Sequence, residues 1–99
     1  MNYQLVIIHE VYEELNEAAV WYNNQQAGLG FELLDEWENT LSSLFTNPLG
    51  YEKKYTYFRQ IELKRFPYLI IFEVVTNQIV VYHFISSKRS LKKRYLKRK

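Results

Sequence analysis

The 99-residue sequence has no cysteine, only two prolines and three glycines, and not one lysine or arginine before residue 51. The lack of cysteine excludes a disulfide framework and thiolate zinc sites, and it removes the usual mark of a small secreted domain. No apolar run approaches the ~20 residues that a membrane helix requires. The run Leu5-Val6-Ile7-Ile8 has no basic stretch before it and no small-residue cleavage site after it, so no signal peptide is expected. The two histidines, His9 and His83, have no companions at ligand spacing, so neither a metal nor a cofactor is expected. What remains is the expectation of a cytoplasmic globular protein with no membrane partner.

The residues that are present support a packed core, with 47% hydrophobic and 17% aromatic side chains. A chain of this length makes one domain, 1–99. Its net charge of +2 conceals a strong polarity. Residues 1–50 carry eight acids and no Lys or Arg, residues 51–87 carry five cations and three acids, and residues 88–99 carry eight cations and no acid. A molecule so divided offers an anion only one side.

Residues 58–84 read as three successive strands around which the chain is organised. The first, 59–63, is closed by Lys64-Arg65-Phe66-Pro67, because Pro67 has no N–H to donate and forces Phe66 into an extended conformation. The second, 68–75, is almost uninterrupted in its apolar character and is predicted to be central and buried on both faces. Thr76-Asn77-Gln78 is a tight turn in which Asn77 tolerates a positive φ, and 79–85 returns as the third strand.

The first half supplies the cover. Residues 3–9 are predicted as an edge or second-layer strand. A helix over 10–26 follows, with Val11, Leu15, Ala18, Ala19 and Tyr22 at helical spacing. Gly28 is expected to be a left-handed cap. A second helix, from 31 to about 46, is expected to present Phe31, Leu34, Trp37, Leu41, Leu44 and Phe45 to the core, before Asn47-Pro48 stops it. The order is β-α-α-β-β-β, an α+β fold in which a helical hairpin packs on a small twisted, mainly antiparallel sheet. Residues 49–57 are either a loop or a ragged edge strand, and 88–99 form either a short helix or a basic tail.

Three clusters could carry chemistry. His83 is placed on the face shared with Val81 and Ile85, where a lone histidine is usually structural unless a carboxylate stands beside it. Arg59 falls in two-residue step with Tyr57, Ile61 and Leu63. A guanidinium among apolar groups needs acceptors, either a helix acid such as Glu36, a backbone carbonyl or a ligand. Lys88, Arg89, Lys92, Lys93 and Arg94, with Tyr95 beyond them, make a concentrated positive patch with an aromatic able to stack on a base.

Taken in order, Trp21-Tyr22, Gly28-Leu29-Gly30, Phe31, Asn47-Pro48, Arg59, Phe66-Pro67-Tyr68 with its apolar strand, and His83 resemble the RelE/ParE toxin superfamily of type II toxin–antitoxin (plasmid stabilisation) modules. The resemblance spans the first strand to Tyr95. It implies growth inhibition and a cognate antitoxin that wraps the toxin, and it leaves self-association as a homodimer open.

The superfamily has two activities. RelE-like members cut mRNA on the ribosome without a metal, using basic residues at the phosphate, whereas ParE-like members inhibit DNA gyrase and lack that set. Aligned on the matching strand, Leu69 falls where RelE carries a catalytic Arg, and Gln60 and Glu62 fall where it has lysines. Lys88-Arg89 match a Lys-Arg pair, and Tyr95 falls on the terminal catalytic Tyr. An apolar Leu69 cannot bind a phosphate and Glu62 repels one, so the ParE-like, non-enzymatic reading is favoured. The alternatives are an endoribonuclease using Arg59, Arg89 and Tyr95, with His83 as a weaker candidate, or a member whose toxicity has lapsed. Because only the sheet and tail side is positive, the antitoxin is expected to bring an acidic segment.

Overall fold

The computed structural model describes residues 2–54 and 57–88. Chain order is β1 (Gln4–Ile7), α1 (His9–Gln25), α2 (Leu29–Leu44), a 3₁₀ turn (Pro48–Gly50), β2 (Lys53–Lys54), β3 (Phe58–Glu62), β4 (Tyr68–Val75) and β5 (Gln78–Ser86). The strands form one sheet in the order β1-β5-β4-β3-β2, parallel at β1/β5 and antiparallel elsewhere. The expected α+β arrangement is therefore present. The stretch left open as loop or ragged strand is both, a 3₁₀ turn followed by the two-residue edge strand β2.

Strand β4 sits at the centre, and its side chains alternate between two hydrophobic clusters. Ile70 and Phe72 join Val11, Leu15, Leu33 and Trp37 of the helices, so this face carries the main core. Ile71 lies on the other face with Phe58, Val80, Tyr82 and Ile85. Pro67 closes the β3–β4 connection as anticipated, and its carbonyl accepts the Ser87 N–H at 2.8 Å.

The helical hairpin forms where predicted, and α2 turns Trp37, Leu41 and Leu44 inward as expected, but Phe31 and Phe45 stay outside the core. Gly30, Leu33, Trp37, Leu41 and Leu44 are buried, while Phe31 is 66% exposed, Phe45 is exposed and Leu34 is only partly covered. Leu33, Trp37, Leu41 and Leu44 follow the three- and four-residue steps of one helix stripe, and Phe31 lies off it. Gly28 does take the left-handed conformation, at φ 90°, but as the N-cap of α2; α1 ends at Gln26 in extended backbone. The β4–β5 turn also differs. Its positive φ, 54°, belongs to Thr76 and not to Asn77, an uncommon setting for a β-branched residue.

Gly30 is the close contact of the hairpin. Its N–H donates to Asn23 Oδ1 at 2.7 Å, and a Cβ there would collide with the Ala19 carbonyl oxygen and sit 2.8 Å from Asn23 Cγ. Overpacking of this kind costs about 1–3 kcal/mol. Gly30→Ala is accordingly expected to lower the denaturant midpoint by that equivalent; an unchanged midpoint would mean that the helices are not held this closely.

Candidate functional site

The candidate residues divide between the two ends of the sheet and its two faces. Arg59, on β3, pairs in register with Phe72. Its Nη1 donates to the carbonyl oxygens of Tyr51 at 2.9 Å and Leu49 at 3.2 Å. Of the roles open to it, Arg59 therefore takes the backbone one: it ties the 3₁₀ segment to the sheet. The expected step with Tyr57 does not hold. Tyr57 precedes the strand and packs with the second cluster, whereas Ile61 and Leu63 pack with the first.

Glu36 serves another segment. Its carboxylate accepts the N–H groups of Lys64 and Arg65, fixing the β3–β4 connection onto α2. Arg65 Nη2 meets Glu32 Oε1 at 2.5 Å, and this hydrogen bond, with the charge of Glu32, raises the Arg65 pKa above its ordinary value.

His83 lies at a β-bulge. Ile71 pairs with His83 but Phe72 pairs with Val81, so Tyr82 is the extra residue. The bulge shifts the alternation by one, placing Val81 in the helix-side cluster and Ile85 in the other. The expected common face of Val81, His83 and Ile85 is thereby overturned.

A carboxylate does stand beside His83. Strand β1 stops pairing at Ile7/Val81, which leaves the next stretch of β5 without a strand neighbour on that side. Glu14 of α1 fills the gap: it accepts the Phe84 N–H at 2.9 Å, and its other oxygen is 3.6 Å from His83 Nδ1. Nothing in the local sequence pattern marks Glu14 for this role, because the bulge and the end of β1 create the need for it.

Lys88 follows β5 at the exposed end of the sheet, its N–H on Ser86 Oγ at 3.2 Å. It borders an open groove with Glu14, Glu17, Trp21, Tyr68 and Phe84. Aromatic rings line this wall: Trp21 meets Tyr22 edge-on at 4.9 Å, and Tyr68 stacks on Phe84 at 4.7 Å. Lys88 and Arg59 are far apart along the strands. Ser86 pairs with Tyr68, whereas Arg59 pairs with Phe72, four residues or about 13 Å further on. Arg89, Lys92, Lys93, Arg94 and Tyr95 lie outside the described residues.

The three positions at which the sequence departs from the nuclease pattern come together. Gln60 and Glu62 alternate with Phe58 on the face away from the helices, and Glu62 pairs directly with Leu69, which packs on the second cluster. These three positions supply an amide, a carboxylate and an isobutyl group, none of them a cation. In the same face Glu73, 2% exposed, accepts the Tyr82 hydroxyl at 3.1 Å. A carboxylate interrupting the apolar run of β4 was visible in the sequence, but its burial was not anticipated.

Among the described residues no helix is long and apolar enough to cross a membrane, and no group of three side chains could hold a metal ion. No family model and no curated protein matches the sequence. Among solved structures, the chain is similar to one from the chromosomal ParDE TA system from P. aeruginosa, with a TM-score of 0.76 and 14% identity over 85% of this chain and 95% of that one. At this identity the likeness is one of fold. Two helices on a five-stranded mixed sheet are consistent with the RelE/ParE-like fold.

Replacing Arg59 by Ala removes a charged donor from two carbonyls, each such bond contributing about 1.5–3 kcal/mol. Arg59→Ala should therefore lower unfolding stability measurably in urea. A variant as stable as the parent would show that the guanidinium is not a structural tie.

Proposed function

We propose that this chain is the toxin of a type II toxin–antitoxin pair, acting in the cytoplasm and neutralised by a cognate antitoxin. The observation that carries this reading is the likeness of fold to a chain of the ParDE TA system, extending over 95% of that chain. Within the superfamily we assign it ParE-like action, by docking on DNA gyrase and not by cutting RNA. The corner formed by Gln60, Glu62 and Leu69 supports the assignment, because in-line attack on a phosphate develops negative charge that a carboxylate and an apolar side chain cannot stabilise. Arg59, engaged with two carbonyls on the helix side, is poorly placed to replace the missing cations.

The antitoxin follows from the charge distribution. Residues 1–50 contribute no Lys or Arg, so α1 and α2 supply no cation of their own to an anion, and Arg65 beside them is engaged by Glu32. An acidic antitoxin segment is directed instead to Lys88 and the cations that follow it, and high salt weakens that attraction.

Induction of the chain alone in a bacterial host tests the reading. Growth arrest with a DNA-damage response and intact transcripts is expected, and co-expression of the antitoxin should relieve it. Arrest with transcripts cut on the ribosome would instead assign the nuclease activity, with Arg89 and Tyr95 taking part. Absence of arrest would contradict a toxin role altogether.

A further inference from the structure

Strand β5 outruns its neighbour β1. The last pair in that ladder is Ile7 with Val81, and the Ile8 N–H makes the final main-chain bond, to the Val81 carbonyl at 3.1 Å. β5 continues to Ser86. On its β4 side Ile85 is opposite Leu69, and the Ser87 N–H donates to the Pro67 carbonyl. Tyr68, opposite Ser86, spends its own main-chain groups on Leu63 and Phe66. Phe84 and Ser86 therefore turn their main-chain groups away from β4, toward the edge that β1 has left. Among the described residues no strand meets that edge, and the Glu14 carboxylate stands on the Phe84 N–H at 2.9 Å.

The edge opens into the groove beside α1. Glu17, Val20 and Trp21 line it together with Phe84, Ser86 and Tyr68, and Val20 and Trp21 are 51% and 56% exposed. A wall of unused main-chain donors and acceptors selects an extended chain, because a strand presents matching groups at the same spacing. The edge from Val81 to Ser86 measures about 17 Å, room for a short guest strand. The other wall sets the chemistry of the guest. Helix α1 carries Glu10, Glu13, Glu14 and Glu17 and no Lys or Arg, which favours a basic segment, and the exposed Trp21 and Val20 favour apolar side chains between its cations.

We propose that the groove between α1 and the free edge of β5 receives an extended basic segment of a partner protein, which pairs with Phe84 and Ser86 as an added strand. A carbonyl of the segment replaces the Glu14 carboxylate on the Phe84 N–H, and Glu14 turns with Glu17 to a Lys or Arg of the guest. Until then Glu14 holds the place of the missing strand and keeps the edge from pairing indiscriminately. The segment differs in charge from the acidic antitoxin stretch directed to Lys88 and beyond, and the inference is independent of the toxin assignment.

The test is titration of the full chain, followed by amide NMR, with a terminally blocked peptide of about six residues alternating lysine and valine. The amide signals of Phe84 and Ser86 and the Trp21 indole N–H should move together, and methylating alternate peptide nitrogens, which removes the strand donors, should abolish the effect. Glu17 is exposed, so Glu17→Lys leaves the fold intact, and it should raise the peptide Kd about tenfold by turning attraction into repulsion. No movement of these signals at about 1 mM peptide, a concentration that reveals even weak binding, would overturn the proposal. Equal binding of a glutamate–valine peptide would do so as well. Movement of Phe84 and Ser86 with protein concentration alone would give the edge to a second copy of the chain and overturn it too.

Discussion

Strand β4 carries apolar side chains on both of its faces, and the fold is arranged to keep water from each. Ile70 and Phe72 require the helical hairpin, and Ile71 requires cover on the opposite side. Several other features serve this demand. Gly30 lets α2 approach α1 closely, and Glu36 anchors the β3–β4 connection to the back of α2. Arg59 draws the 3₁₀ segment onto the sheet, where Tyr51 meets Phe72 edge-on at 6.0 Å.

The bulge at Tyr82 is the second organising element. By inserting one residue into β5 it directs Tyr82 to the buried Glu73 and Phe84 to the stack with Tyr68. Beyond the end of β1, the free edge of β5 needs an acceptor, and Glu14 supplies it. An unsatisfied N–H at such a position costs about 1–3 kcal/mol. The acidic character of α1 is thus partly structural, and Glu14 at least is not merely a solvated charge.

Much of this was legible in the sequence. The apolar run of β4, the stop at Pro67, the paired helices and the position of Gly28 follow from local rules, and the resemblance carried by residues 21–83 anticipated the fold. The rest depended on tertiary context. On α2 the inward positions Trp37, Leu41 and Leu44 follow from helical spacing, but Phe31 and Phe45, large and apolar, are exposed, and Leu33 and Gly30 are buried instead. The bulge left no trace, since Val80-Val81-Tyr82-His83-Phe84 is continuous in character and a one-residue shift is invisible without the partner strand. Arg59 could not be assigned among acid, carbonyl and ligand, because its acceptors are main-chain atoms ten and eight residues away.

The proposed ParE-like action rests on Gln60, Glu62 and Leu69, which cannot stabilise charge developing on a phosphate. The most direct measurement is supercoiling of relaxed plasmid by purified DNA gyrase with increasing amounts of this chain. The account predicts dose-dependent loss of supercoiling that the antitoxin reverses. Supercoiling that continues at full rate with the chain in large excess would contradict it.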